Sequence, residues 1–403
     1  IGAAGRASSG RCLLPGLAWG LAAVLVSHRW LLWLHPLDWL GVPLPLSLPI
    51  CLLLWLSCGL LAGALVQLWL LLMQRGDARR LSTALAGACL WGLAEVWLAR
   101  GPLFWIGLGG SALPADRPLA ALAALGGAGL VAMVQLLLGW CLWTLWRLRA
   151  VAAARGRWLL LGLLPLLLSH GLGLASLAWL DAMERSQAGR ERQGALETLL
   201  VLQPAIPTRA KFTPAQQRRL LEQLSSALER GSSLAAGGDA VSLVLPEGAL
   251  ALGQPLPMPA PVEVLSGGFR QQESERRSSL LRFPIGAITP GTWLDKHRVV
   301  PLGEWVPFAD QLAWAGLSAV GGITPGAPSR LLPRPQGAIG VAICYELADG
   351  AALAEATRAG ASWLVASANL DPYPLLLLQQ FRALARQRAI ETGRWLLSAA
   401  NTG

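Results

Sequence analysis

The first 180 residues contain long apolar runs that are separated by short polar loops. A run of about 20 apolar residues is long enough to cross a bilayer as a helix. Five runs reach or approach this length, and we predict a membrane span in each: Leu13–Leu34, Leu46–Met73, Leu81–Leu98, Pro118–Trp146 and Trp158–Leu180. Polar residues interrupt the first run at Ser27, His28 and Arg29. The pattern predicts an α-helical transmembrane bundle over residues 1–180.

After a polar linker over residues 181–196, short apolar runs alternate with segments of helical periodicity. The short runs predict buried strands at Leu199–Gln203, Ala240–Leu245, Ser278–Phe283, Ala338–Ile343, Trp363–Ala368 and Trp395–Ala400. The periodic segments predict amphipathic helices at Pro214–Arg230, Leu347–Ala359 and Leu375–Thr392. This alternation is typical of an α/β domain, which we place over residues 197–403.

Composition and charge support a membrane protein and exclude one alternative. Hydrophobic residues make up 54% of the 403 residues and charged residues 14%, which is too apolar for an ordinary soluble protein. The net charge of +10 could indicate nucleic-acid binding. However, most basic residues are arginines in short loops between apolar runs, and no nucleic-acid-binding motif is found. We therefore expect no nucleic-acid partner.

The arginines also predict an orientation. The loop after the second run and the loop after the fourth are rich in arginine, which is typical of cytoplasmic loops. The loop Pro36–Pro45 has no basic residue, and Gly101–Pro118 has only Arg117, so both are predicted outside. With five spans, the α/β domain is predicted to be extracytoplasmic.

Cys344 is the one cysteine of the α/β domain, and it lies between a predicted strand and a predicted helix. A thiol at such a turn would lie near free backbone N–H groups and the positive end of the helix dipole. Both features lower a thiol pKa and provide oxyanion donors. The alternative is a core cysteine at the end of a strand, and this segment alone does not decide between them. The other five cysteines lie in or beside apolar runs, where packing explains them.

A cysteine nucleophile needs a base, and two candidates are present. His297 is the one histidine of this domain, but no orienting partner is evident. Glu247 directly follows a predicted strand, and ligand-binding groups of α/β sheets gather at such carboxyl ends. An exposed acid in a turn is the alternative interpretation of Glu247.

Lysine usage gives an independent indication. The chain has two lysines, Lys211 and Lys296, among 33 basic residues. A lysine kept where arginine is the rule suggests that a compact ammonium is required, for example to stabilise an oxyanion. We apply this interpretation to Lys296, whereas chance retention stays open for Lys211.

Three motifs in order, Leu245–Glu247, Asp295–His297 leading to Pro301–Pro307, and Ile343–Glu346, resemble the Glu, Lys and Cys motifs of the nitrilase (carbon–nitrogen hydrolase) superfamily. With preceding membrane spans, the chain resembles the apolipoprotein N-acyltransferase family. Asn369 and the closing segment Ala400–Gly403 fit the same resemblance, although Asp371 stands one position later than the usual acidic residue. The resemblance implies an αββα sandwich for the α/β domain.

The resemblance also implies roles. Glu247 would be the general base, Lys296 the oxyanion stabiliser and Cys344 the nucleophile. Glu304 would position the site, while Tyr345 and Glu346 shape the pocket, with the Tyr345 N–H in the oxyanion hole. No metal or cofactor is expected.

The implied function is transfer of an acyl chain from phospholipid to the N-terminal amine of diacylglyceryl-cysteine apolipoproteins, in a bacterial inner membrane. The alternatives are a membrane-tethered amidase or nitrilase, and an inactive truncated protein that binds lipid.

Two further expectations concern the bundle. The family implies eight spans and a longer C-terminal end, so we expect the chain to be a fragment that lacks two N-terminal spans and the last segment. Glu95 in the third run is either part of a lipid entrance or a structural residue that pairs with Arg100 or reaches the interface.

Overall fold

The protein is described from a computed structural model. It covers residues 14–38, 42–101, 104–148, 156, 159–191, 197–211, 213–238, 240–301, 304, 322–371 and 373–402. The ends Leu13 and Trp158 of two predicted spans lie outside these residues, as do residues 302, 303 and 305–307 of the lysine motif.

The N-terminal half is helical. Its helices are α1 Leu14–Ser27, α2 Leu44–Met73, α3 Leu81–Ala99, the short α4 Gly107–Gly110 and α5 Arg117–Ala120, α6 Ala123–Leu148 and α7 Leu164–Glu191. Among the described helices, four are long and apolar enough to cross a membrane: α2, α3, α6 and residues Leu164–Ser186 of α7. The second to fifth predicted spans are thus confirmed as helices of this kind. Because α7 continues to Glu191, the first part of the predicted linker is helical.

The first predicted span does not form one helix. Helix α1 ends at Ser27 after 14 residues, and a 3₁₀ turn follows over Arg29–Leu34. The side chain of His28 lies 2.9 Å from the Ser27 hydroxyl and 3.2 Å from the carbonyl oxygen of Phe104, so polar groups occupy the break. The 3₁₀ turn then packs Trp30 and Leu31 against the α/β domain.

Helix α6 is kinked at two glycines. Gly127 has a φ of +67°, a conformation that glycine adopts without strain, and Gly126 is also non-helical. The kink leaves the Ala128 N–H without a partner in its own helix. It donates to Glu391 of the α/β domain at 3.0 Å.

Two sheets form the α/β domain. The first contains β1 Glu197–Val201, β2 Ala240–Leu250, β3 Glu263–Gln272, β4 Glu275–Phe283 and β5 Thr292–Asp295, in that order. The second contains β6 Leu331–Leu332, β7 Ile339–Ile343, β8 Trp363–Ala368 and β9 Leu396–Ala400. Strands β1, β2 and β3 are parallel to one another, as are β7, β8 and β9. The carboxyl ends of β2 and β7 therefore carry the glutamate and cysteine motifs.

Helices cover the outer faces of both sheets, and the inner faces meet. Val244 and Leu265 of the first sheet share a core with Ile343 and Val365 of the second. Helix α8 Pro214–Ala235 packs on the outer face of the first sheet. Helices α9 Gly350–Arg358 and α10 Leu375–Thr392 pack on the second. The predicted fold class, a transmembrane helical bundle with an αββα sandwich, is confirmed.

Several predicted elements differ from the structure in extent. Strand β2 continues five residues past Leu245, so Glu247 lies within it. Strands β3, β5 and β6 were not predicted. The predicted helix Leu347–Ala359 is a 3₁₀ turn over Cys344–Ala348 followed by the shorter α9.

Candidate active site

The three predicted catalytic residues come together at the carboxyl ends of the strands. Lys296 Nζ lies 2.8 Å from Oε1 of Glu247 and 2.8 Å from Oε1 of Glu304. The Cys344 thiol lies close enough to Glu247 and Lys296 for both charges to act on its pKa. One carboxylate therefore lies beside both the ammonium and the thiol.

Glu247 is held at an irregularity in the first sheet. The pairing of β2 with β3 shifts register between Leu245 and Leu250. Opposite the shift lies Gly267, where a Cβ atom would stand 2.4 Å from the Glu247 Cα atom. The second carboxylate oxygen of Glu247 accepts the Asn369 N–H at 3.1 Å. Backbone on two sides thus fixes the direction of the carboxylate.

Lys296 follows β5 and is buried, with 1% of its surface exposed. Burial alone would lower its pKa, but the charges of Glu247 and Glu304 outweigh burial and hold the pKa of Lys296 well above its usual value. The side chain therefore remains an ammonium next to the thiol.

Cys344 begins the 3₁₀ turn and has a φ of +55°, in the left-handed region that non-glycine residues rarely adopt. Burial and the nearby Glu247 raise the pKa of the thiol well above its usual value, and Lys296 opposes them. The predicted lowering of this pKa was wrong. No α-helix begins directly at Cys344, and two carboxylates lie close to the sulfur. The raised pKa indicates that Cys344 is a protonated thiol at neutral pH.

Glu304 supports Lys296 from the opposite side. Its Oε2 accepts the Val300 N–H at 2.8 Å, which closes the loop after the lysine. Burial raises the pKa of Glu304, and Lys296 counteracts the rise. These contacts hold the Glu304 carboxylate against the Lys296 ammonium.

Tyr345 and Glu346 contact residues 297–299, directly after Lys296, which we call the lysine loop. Glu346 is buried and accepts the main-chain N–H groups of Ile343 and His297, each at 2.8 Å. The Tyr345 hydroxyl donates to the Val299 carbonyl oxygen at 2.8 Å. These contacts join the 3₁₀ turn Cys344–Ala348, which we call the cysteine turn, to the lysine loop. His297, the alternative base, uses its Nδ1 with the Gly326 carbonyl oxygen, 2.8 Å away.

Asn369 belongs to a polar network behind Glu247. Its side-chain nitrogen donates to the Thr208 hydroxyl at 3.0 Å, and its side-chain oxygen accepts from Asn401 at 3.1 Å. Thr208 in turn donates its main-chain N–H to Asp371 at 2.7 Å. The displaced acidic residue Asp371 therefore still anchors this part of the site.

Sequence reasoning missed two residues of the site. Lys211, for which chance retention was left open, is buried beside Glu247 and donates to its main-chain oxygen at 3.2 Å. Tyr373 lies close to Cys344 and Glu247, and burial raises the pKa of its hydroxyl. Residue scarcity could have identified both, since the chain has two lysines and two tyrosines and all four lie here.

The bundle contributes one wall near the site. Trp30 of the 3₁₀ turn meets Tyr373 edge to face at 5.7 Å and Phe104 at 6.1 Å. Phe104 stacks on Phe381 of α10 at 5.5 Å. Aromatic side chains from the connections between the helices and from the catalytic domain thus form one apolar cluster.

Glu95 makes structural contacts, but they are neither the predicted pair with Arg100 nor the predicted contact with the membrane interface. It is 3% exposed and accepts from Trp91 Nε1 at 2.8 Å and from the N–H groups of Leu108 and Gly109. It neither pairs with Arg100 in the described residues nor reaches the surface. It accepts from the first turn of α4 and lines an open cleft whose walls include Asp349 and Arg388.

No family model matches the chain. Among solved structures, a Nit3 protein of Saccharomyces cerevisiae from the nitrilase superfamily is 14% identical, with a TM-score of 0.36 over 50% of this chain and 74% of that one. A carbon–nitrogen hydrolase from Helicobacter pylori is 13% identical, with a TM-score of 0.32 over 51% of this chain and 73% of that one.

Curated relatives are much more similar. The apolipoprotein N-acyltransferase of Prochlorococcus marinus (strain MIT 9313) is 52% identical over 97% of this chain and 78% of its own length. That of Parasynechococcus marenigrum (strain WH8102) is 49% identical over 96% of this chain and 79% of its own length. Such identity over nearly the whole chain, together with the site described above, shows that the chain belongs to the apolipoprotein N-acyltransferase family.

Proposed function

We propose that this acyltransferase moves a fatty acyl chain from a phospholipid to the N-terminal amine of a diacylglyceryl-cysteine apolipoprotein, through a thioester on Cys344. The observation that carries the mechanism is the position of the Glu247 carboxylate beside the Cys344 thiol, with the ammonium of Lys296 against the same carboxylate. A thiol with a high pKa needs such a base in contact with it.

In the first half-reaction, Glu247 accepts the thiol proton while the sulfur attacks the ester carbonyl carbon of the phospholipid. The negative charge moves to the carbonyl oxygen, and Lys296 and the Tyr345 N–H stabilise it. When the intermediate collapses, the ester C–O bond breaks. The leaving oxygen takes the proton back from Glu247, which releases a lysophospholipid and leaves the thioester.

In the second half-reaction, the amine of the apolipoprotein attacks the thioester carbonyl carbon. Glu247 accepts a proton from the amine, and the same donors stabilise the second oxyanion. The C–S bond breaks, the sulfur takes the proton, and an amide product leaves. The cycle restores the thiol and the carboxylate.

The bundle supports a membrane-bound donor and an orientation. Arginine-rich segments follow α2 and α6, and two crossings, α3 and α6, separate them in the chain, so both are assigned to the same side. The positive-inside rule favours the cytoplasm for that side. One further crossing, α7, then assigns the catalytic domain to the other side. We propose a bacterial inner membrane with an extracytoplasmic site. The cleft beside Glu95, which borders Ala348 at the end of the cysteine turn, gives space for lipid.

A tethered amidase with the same three residues is the competing function. The aromatic cluster that joins the bundle to the site favours acyl transfer between lipids, because hydrolysis of a small soluble amide does not require a membrane wall. Turnover of small amides by water in the absence of lipid would support the amidase instead.

The test is mass spectrometry of the whole protein and of its Cys344 peptide, after incubation in membranes with phospholipid. We expect an acyl mass on Cys344 that hydroxylamine removes, and that an added lipopeptide amine discharges as amide. Cys344→Ser and Glu247→Gln should lack the adduct. Cys89→Ser, which changes an exposed cysteine of α3, should keep it. A folded wild-type protein without the adduct would falsify the proposal.

A further inference from the structure

We propose that Lys211 is a positioning residue for acyl transfer, which holds Glu247 in place from the side opposite Lys296. The inference rests on the proposed role of Glu247 as base. It gives a function to the lysine for which the sequence left chance retention open.

Both lysines of the chain converge on the same glutamate. Lys296 contacts the Glu247 carboxylate, whereas Lys211 Nζ donates to the Glu247 main-chain oxygen at 3.2 Å. That oxygen lies in the part of β2 where the pairing with β3 shifts register. A carbonyl group at a register shift lacks a regular sheet partner, so the lysine supplies a donor that the sheet does not.

The space around Lys211 fits an ammonium closely. The residue is 7% exposed, and a Cβ atom on the neighbouring Gly248 would stand 3.0 Å from Nζ. Gly248 has a φ of +58°, so glycine satisfies both the conformation and the contact. The larger planar guanidinium of arginine would need room that Gly248 and Phe269 now border.

The backbone of Lys211 is itself fixed. Gln217 of α8 donates to the Lys211 carbonyl oxygen at 2.8 Å. Three residues earlier, Thr208 is bonded to Asp371 and Asn369. Since the Asn369 N–H also binds the Glu247 carboxylate, the segment 208–211 and the loop 369–371 hold this glutamate together.

The charges facing Lys211 give the site a pH-dependent character. Burial lowers the pKa of Lys211, while Glu247 and Asp371 oppose the change. Lys296, Glu304, Cys344 and Tyr373 are further titratable groups around Glu247. A positive charge at Lys211 stabilises the ionised carboxylate, the form that accepts the thiol proton.

The experiment compares Lys211→Met, Lys211→Arg and wild type in native-like membranes, with Arg219→Met as a control that removes an exposed positive charge of α8. The measured quantities are the rate of thioester formation on Cys344 between pH 5 and pH 9, taken as about the working range of a carboxylate base, and the thermal unfolding midpoint.

We expect Lys211→Met to slow thioester formation by about tenfold to a hundredfold, the size of effect that a small misplacement of a catalytic group produces. The acid limb of its pH–rate profile should move to higher pH. Lys211→Arg should return the acid limb of the profile to its wild-type position, because the positive charge is present again. The rate of thioester formation should stay below that of wild type, because the larger guanidinium does not fit the space beside Gly248. Arg219→Met should match wild type.

Two results would overturn the inference. One is a Lys211→Met rate and profile equal to wild type. The other is a lower unfolding midpoint and a smaller active fraction with an unchanged pH profile, which indicates packing alone. Failure of the proposed function has a different signature, since the wild type itself would then form no thioester.

Discussion

Arg330 and Glu346 form a buried ion pair, with Arg330 Nη1 3.0 Å from Oε1 and 3.1 Å from Oε2 of the carboxylate. The same carboxylate accepts N–H groups from Ile343, before the nucleophile, and His297, after the catalytic lysine. Arg330 also donates to the Asp295 carbonyl oxygen at 3.0 Å. The separation between the cysteine turn and the lysine loop is therefore set by this pair.

Removing the charge of Arg330 alone should lower the free energy of unfolding much more than removing the charges of both Arg330 and Glu346. Arg330→Met leaves a buried carboxylate without its counter-charge, which is expected to lower the free energy of unfolding by about 3–5 kcal/mol. Arg330→Met with Glu346→Gln should regain part of this loss, because the buried charge is gone and an amide oxygen still accepts N–H groups. Denaturant unfolding of the detergent-solubilised protein measures both. A single variant within about 1 kcal/mol of wild type would contradict the assignment.

Gly267→Ala should inactivate the protein by displacing Glu247. The added Cβ atom would stand 2.4 Å from both the Glu247 Cα atom and the Pro246 carbonyl oxygen, and main chain cannot yield cheaply. Thioester formation should fall by about a hundredfold. The control is Gly268→Ala in the same strand, where the new methyl meets the end of the flexible Leu281 side chain at 2.8 Å. Equal rates for the two variants would refute this view of the β2–β3 contact.

Cys344 should titrate above the usual value of 9.0 for a thiol. The difference in ultraviolet thiolate absorbance between wild type and Cys344→Ser isolates this residue from the other cysteines. Because the folded state prefers the protonated thiol, its contribution to stability is present below the unfolded pKa and is lost as the pH rises through the folded pKa. Glu247→Gln removes a nearby negative charge, so thiolate should appear at lower pH. A titration at or below 9.0 in wild type would disagree with the burial and charges described here.

Arg298 should matter for reaction with lipid in a bilayer more than for access to the thiol. Its guanidinium donates to the carbonyl oxygens of Ala99 and Gly101 at the end of α3, and stacks on Tyr345 at 5.1 Å. Arg298→Met should slow acylation from bilayer phospholipid by about tenfold or more through loss of this alignment.

The companion measurement is alkylation of Cys344 by a small soluble reagent, which should change little in Arg298→Met. Arg276→Met, at an exposed arginine of β4, controls for loss of charge. If acylation and alkylation both became slower to the same extent, Arg298 would be shown to stabilise the cysteine turn itself rather than its alignment with α3.

The catalytic residues were predictable because motif order and chemistry agree along the chain. Glu247 lies in the last part of β2, while Lys296 follows β5 and Cys344 follows β7, and the packing of the two sheets brings these strand ends together. The long spans were predictable because nothing but apolar length is needed to recognise them. Strand β3 was not, since Gly267 and Gly268 within Glu263–Gln272 weaken the apolar pattern, yet the glycines are there for close approach to β2.

Other features depend on distant contacts, which local patterns do not report. The break after α1 is stabilised by the Phe104 carbonyl group, and Lys211 acquires its role from the register shift beside Glu247. The pKa of Cys344 follows from its buried neighbours rather than from its place at the start of a turn.

The kink in α6 has a consequence for biogenesis. The Ala128 N–H donates to the carboxylate of Glu391, a residue 263 positions later in the chain. An amide group without an acceptor is costly in hydrocarbon, so this helix reaches its final form after α10 has folded against it. From this bond we expect membrane insertion and folding of the catalytic domain to be coupled steps of a single assembly process.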